Sequence, residues 1–111
     1  MENCVFCKIV RGEIPSKRYY EDDDMIIIAD IAPKAKLHYL AVPKEHYKGL
    51  DELDEKRKAG LAECFEKIGR LKETLGLTEG YRLIINQGEN GGQTVPHLHI
   101  HILGGEKLPG D

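Results

Sequence analysis

Three of the chain's five histidines, His97, His99 and His101, stand at alternate positions in the stretch TVPHLHIHILGG. Side chains on an extended backbone point to opposite sides in turn. The spacing therefore puts the three imidazoles on one face and Leu98, Ile100 and Ile102 on the other. An apolar row can cover a core, but a row of imidazoles must be satisfied by metal, by phosphate or by its own members. Three origins are open: a coincidence of core histidines, a transition-metal site built from all three, or a phosphate-handling site. The preceding loop, QGENGGQTVP, favours the last. Gly88, Gly91 and Gly92 let backbone N–H groups approach an anion, and Gln93 and Thr94 add hydrogen-bonding side chains. Neutral imidazole is a nucleophile toward phosphorus, and its protonated form stabilises charge on phosphoryl oxygens. An anion loop leading into a histidine row fits phosphoryl or nucleotidyl transfer. A second chemical grouping is CVFC, in which Cys4 and Cys7 are spaced to reach one zinc ion. Two free thiols or a redox dithiol are the alternatives there.

These groups need a scaffold. Val5 to Arg11 reads as a short helix closed by Gly12 and Pro15. RYYEDDDMIIIADI reads as two strands, Arg18–Glu21 and Met25–Ile31, about the acidic turn Asp22–Asp24. KLHYLAVP is a third strand ended by Pro43. Leu50, Leu53, Leu61, Phe65, Ile68, Leu71 and Leu75 recur at helical spacing and predict one helix from Leu50 to Leu75, stopped by Gly76. Cys64 falls on its apolar side as a buried thiol. Gly60 and Gly69 interrupt that helix, which close packing against another element would explain. YRLIIN and HLHIHIL supply the last two strands. Five strands, one long helix and one short one predict an α+β fold with an antiparallel sheet.

A chain of 111 residues is expected to form a single domain over 1–111 with one real core. A net charge of −3 argues against a protein built to grip a nucleic-acid backbone, so any phosphate binding must be local. No apolar run approaches a membrane span, and Met1 to Arg11 lacks the form of a signal peptide. With three cysteines, this favours a reducing, cytoplasmic setting.

HLHIHILGG resembles the histidine-triad signature, and DIAPKAKLHYLAVPKEH and FCKIVRGEIPS resemble the other two signature stretches of the Hint branch of that superfamily. The resemblance runs from about Cys4 to Gly105, in order and spacing. It implies a two-fold homodimer that hydrolyses purine nucleoside phosphoramidates and related nucleoside 5'-monophosphate derivatives, without a requirement for Mg²⁺. By position, His99 matches the nucleophile that becomes nucleotidylated, His101 the residue contacting the phosphate, and His38 the fourth histidine supporting the catalytic one. Gln93 and Thr94 match groups near the leaving atom and the phosphate, with Thr94 where serine is common and Gly92 in the adjoining loop. Asp30 matches the carboxylate that binds the ribose hydroxyls, and Asn86 another contact to the nucleoside. Phe6, Ile9, Ile14, Ile28, Ile31 and Leu40 match the apolar slot for the purine. Some members carry a structural zinc held by two cysteines and two histidines; the matching ligands here are Cys4, Cys7, His46 and His97.

The sequence also departs from the animal Hint proteins. Pro96 stands where they have a bulkier residue, and their tryptophan-containing tail has no counterpart after Gly105, so the resemblance does not carry over a leaving-group preference. Dinucleoside polyphosphate hydrolysis is the nearer alternative activity. A nucleotide-binding regulatory module with little turnover, or metal storage by the triad, are alternatives of other classes.

Overall fold

The computed structural model describes residues 3–110. Helix α1 (Val5–Val10) is followed by strands β1 (Arg18–Glu21), β2 (Met25–Ala29) and β3 (Leu37–Pro43). A 3-10 turn (Leu50–Glu52), helix α2 (Glu55–Arg70), β4 (Tyr81–Ile84) and β5 (Ile100–Gly104) complete the order. The strands form one antiparallel sheet in the order β1-β2-β3-β5-β4. The predicted α+β class, with five strands, a long helix and a short one, is the architecture found.

The short helix is closed at Gly12 as expected, but α2 ends at Arg70 rather than Leu75, because Leu71 already leaves helical geometry (φ −92°, ψ 6°) and a run of turns carries the chain to Gly76. At Gly76, φ is +76°, the left-handed conformation that costs glycine little. Leu77 N–H donates to Lys72 O at 2.7 Å and Gly76 N–H to Glu73 O at 3.2 Å, the paired bonds of a Schellman turn. Glu13 to Lys8 and Gly12 to Ile9 repeat the pattern after α1. The Arg18 guanidinium also donates to Ile9 O at 2.6 Å, so β1 holds the carbonyl end of α1.

Other boundaries also differ from the sequence reading, β4 ending at Ile84 rather than Asn86. The predicted Leu50–Leu75 helix is broken because Leu53 is extended and Asp54 caps a new start, its carboxylate accepting from Arg57 N–H at 2.9 Å. Strand β2 stops at Ala29, two residues early, because Asp30 Oδ1 accepts the Ala32 N–H at 2.8 Å and bends the chain ahead of Pro33. Strand β5 begins at Ile100, after His97 and His99. There Leu98 N–H donates to Tyr47 O at 2.8 Å rather than into the sheet.

The sheet divides the apolar residues by parity. Met25, Ile27, Tyr39, Ala41, Leu98, Ile100 and Ile102 face α2 and pack with Leu61, Cys64 and Ile68. Ile26, Ile28, Leu40 and Val42 face α1 and pack with Cys4, Phe6, Cys7 and Ile9. Burying each Ile or Leu contributes about 1.5–3 kcal/mol. Burial holds the Cys64 thiol up at about 11, the inert thiol expected. Phe65, expected in the core, is 40% exposed, and a Cβ added at Gly60 would meet nothing within 4 Å. Close packing within the chain therefore does not explain Gly60.

Candidate active site and metal centre

The histidines fall on the α1 face, as alternation requires, while Leu98, Ile100 and Ile102 lie in the α2 core. In register, Ile28 pairs with Leu40 and Leu40 with His101, so an apolar row runs directly into the last histidine of the triad. Phe6 of α1 meets His99 edge to face at 4.9 Å between ring centroids and His97 at 5.8 Å. Phe6, Ile9, Ile28 and Leu40, four of the expected slot residues, form one buried cluster with Ile14 packed against it. Ile31 does not join them. With β2 ended at Ala29 it is fully exposed, which removes it from the slot expected of it.

Hydrogen bonds assign the imidazole protons. His99 Nδ1 lies 2.7 Å from His97 O, an acceptor only, so Nδ1 carries the hydrogen and Nε2 keeps its lone pair. Lys34 N–H donates to His38 Nδ1 at 3.0 Å, so the hydrogen of neutral His38 sits on Nε2. That Nε2 is 2.9 Å from His101 Nδ1 and 3.3 Å from Asp30 Oδ2. His101 Nδ1 then accepts, and its Nε2 carries a hydrogen. Burial lowers the His38 pKa, against the pull of Asp30, and lowers His101 to about 4, with His99 and His38 adding to the effect. Both rings are therefore neutral near pH 7. Asn86 Nδ2 lies 3.4 Å from His101 Nε2. Two N–H donors cannot satisfy each other, but an anionic oxygen placed against both can accept from each.

The loop before the triad behaves differently from the sequence reading. Gly92 N–H donates to Glu89 O at 3.0 Å, Gln93 N–H to Gly88 O at 3.0 Å, and Gly91 N–H to Gly88 O at 3.2 Å. Gly88 N–H is taken by Gln93 Oε1 at 2.9 Å. The amides expected to cradle an anion, Gly92 among them, are thus consumed inside the loop. A Cβ at Gly91 would lie 2.4 Å from Gln87 O, so this glycine serves loop closure. Gln93 Nε2 donates to Lys48 O at 2.7 Å and Val95 O at 3.2 Å, which leaves its amide no hydrogen for a leaving group. Thr94 stays exposed at the rim of the loop.

A second cluster gathers around His97. Cys4 Sγ is 3.4 Å and Cys7 Sγ 3.6 Å from His97 Nδ1, and Cys7 Sγ is 3.2 Å from His46 Nδ1. The four donor atoms all lie within 4.8 Å of one another. A tetrahedral zinc with Zn–S of about 2.3 Å and Zn–N of about 2.0–2.1 Å has S···N edges of about 3.6 Å. The fit extends outward: His97 Nε2 donates to Pro43 O at 2.8 Å, which fixes the tautomer and frees Nδ1 for a cation. Burial holds both imidazoles below their usual range, His97 at about 4, and pushes the Cys7 thiol up. Asp30, His38 and His101 also converge but fail the same test. A cation on His38 Nε2 would move the ring hydrogen to Nδ1, against the Lys34 N–H that already points there.

The HIT domain family matches residues 11–108. A HIT family hydrolase from Clostridium thermocellum has 46% identity and a TM-score of 0.94, over 100% of this chain and 97% of that one. A zinc-bound histidine triad family protein from Mycobacterium smegmatis has 37% identity and a TM-score of 0.81, over 97% and 81% of the two chains. A histidine triad nucleotide-binding protein from Candida albicans has 30% identity and a TM-score of 0.81, over 98% and 85%.

Proposed function

The chain belongs to the HIT domain family, and from that premise we propose that it cleaves nucleoside 5'-phosphoramidates through a nucleotidyl-histidine intermediate. The single observation that carries this reading is the 2.7 Å contact between His99 Nδ1 and His97 O, which leaves the opposite nitrogen unprotonated. The Nε2 lone pair bonds to the α-phosphorus as the bond to the leaving amine breaks, and the departing amine takes up a proton from solvent, to which the attacking water returns one in the second step. Water then attacks the phosphorus, releases the nucleoside monophosphate and restores His99. His101 Nε2–H and Asn86 hold the equatorial oxygens, the role that preorganised donors play at developing charge. The Thr94 hydroxyl adds a donor at the rim, and no Mg²⁺ is needed. Ile28, Leu40, Phe6, Ile9 and Ile14 receive the purine, with Asp30 toward the ribose.

Cys4, Cys7, His46 and His97 hold a structural zinc in this reading. The zinc-bound Mycobacterium smegmatis relative supports it, as does the donor geometry. The assembly is a two-fold dimer. Support comes from β4 at the sheet edge and from the exposure of Tyr81 on that strand and of Phe65 on α2. No helix of the described residues is long and apolar enough to cross a membrane, and we place the protein in the cytoplasm.

The test offers adenosine 5'-phosphoramidates and dinucleoside polyphosphates side by side. Faster turnover of the phosphoramidate is expected, and rapid quenching should trap one nucleoside monophosphate on the peptide containing His99. Turnover by His99→Ala with no adduct in the wild type would end the proposal.

A further inference from the structure

One residue belongs to both clusters. The His97 ring faces Cys4 and Cys7 through Nδ1 and Pro43 O through Nε2, so its orientation is set by the thiol–imidazole cluster. Its carbonyl, on the same residue, accepts the hydrogen of His99 Nδ1. Phe6 makes a second connection. It lies between the two cysteines in α1, and its ring edge meets both His97 and His99. The helix that carries it has only six residues, too short to hold its place by intrinsic helicity. What fixes it is Arg18 on its last carbonyls, Cys4 at its first turn and the apolar cluster beneath.

We propose that His97 and Phe6 are positioning residues that couple the Cys4/Cys7/His46/His97 cluster to His99, so that filling the cluster and binding a nucleotide at the triad favour each other. The inference rests on reading the four-residue cluster as a metal site and His99 as the phosphate-facing group. When a cation ties Cys4 and Cys7 to His97, the peptide carbonyl of His97 and the ring of Phe6 are held, and with them the tautomer and rotamer of His99. When the cluster is empty, α1 and the His97 peptide lose a common anchor, and both constraints on His99 loosen together. A purely structural metal would stabilise the whole fold without distinguishing the liganded from the free triad.

Coupling of this kind is reciprocal. In chelator competition at equilibrium, wild type should hold zinc about fivefold or more tightly with saturating adenosine 5'-monophosphate than without it, the lower end of ordinary coupling. Zinc-stripped protein should bind the nucleotide more weakly by the same factor. Phe6→Leu keeps an apolar side chain, and should retain zinc but lose most of the linkage. His99→Ala should bind the nucleotide without tightening zinc. A ligand-free arm reads the contact itself: the His99 Nδ1–H should be protected from solvent exchange in the loaded protein and lose that protection in Cys7→Ser. Equal zinc affinity with and without nucleotide, or equal Nδ1–H protection in loaded and Cys7→Ser protein, would overturn the coupling. Failure of the function proposed above is read separately, by turnover and adduct formation.

Discussion

His38 Nε2 lies 2.9 Å from His101 Nδ1, while the other nitrogen of His38 accepts the Lys34 N–H at 3.0 Å. One backbone amide thereby dictates the hydrogen positions on two imidazoles in series, ending with a donor on His101 Nε2. His38→Ala removes the link and leaves His101 without its fixed tautomer. Turnover should fall by about 10–100-fold, the usual cost of losing an outer partner, measured as kcat/KM with adenosine 5'-phosphoramidate. An unchanged rate would show that His101 needs no orientation.

The same burial makes stability depend on pH. His38 and His101 have folded-state pKa values below the ordinary 6.5, His101 at about 4. For a base lowered in this way the unfolded chain binds the extra proton, so stability is full above about pH 6.5 and falls as pH drops toward 4. The Tm should decline across that window at constant ionic strength. A His38→Gln/His101→Gln double variant should decline less steeply than wild type, and an identical slope would refute the assignment.

A zinc ion would be bound by four protein donors with no open position. Purified protein should contain about one zinc per chain, and Cys4→Ser should lower both zinc content and Tm. Metal-free wild type with undiminished Tm would count against the site.

Gly60 sits inside α2 with open space where a side chain would go. Gly60→Ala should raise stability by up to about 1 kcal/mol, through helix propensity and a less flexible unfolded chain. Gly91→Ala, whose new methyl meets the Gln87 carbonyl, should lower it. Denaturant midpoints of the two variants should move in opposite directions.

If β4 edges pair in solution, light scattering should report twice the 12.5 kDa chain mass. Charging the edge with Tyr81→Lys and the adjacent helix with Phe65→Lys should give a monomer. A dimer unmoved by both substitutions would put the interface elsewhere.

Alternation made much of the α1 face legible in advance, because a period of two states which side chains share a side whether or not the segment is paired in the sheet. His97 and His99 precede β5, yet their neighbours Leu98 and Ile100 are buried in the α2 core as the period requires. Gly12 marked the end of α1 for a similarly local reason, whereas α2 ended at Arg70, ahead of the turn that Gly76 closes. What escaped was set by side chains bonding to nearby backbone. Asp30 ends β2 early and turns Ile31 out to solvent. Asp54 starts α2 late, and Gln93 uses its amide on Gly88, Lys48 and Val95. A glycine-rich loop looks the same in sequence whether its N–H groups face a ligand or close on themselves, and here Gly91 and Gly92 close on themselves.

The sheet puts the α2 core on one side and, on the other, the apolar cluster with Cys4, Cys7 and the Phe6 ring that meets His97 and His99. Changes at Ile68 and at Leu40 are thus separated by a layer of backbone and share no direct partner, the condition under which free-energy effects add. A lineage carrying this fold could repack the helix side for a hotter or colder habitat while leaving the apolar cluster beside the triad as it was. It could equally reshape that cluster for another ligand without renegotiating the core. Selection on durability and selection on substrate would then act on two nearly independent sets of positions, interleaved residue by residue along the same strands.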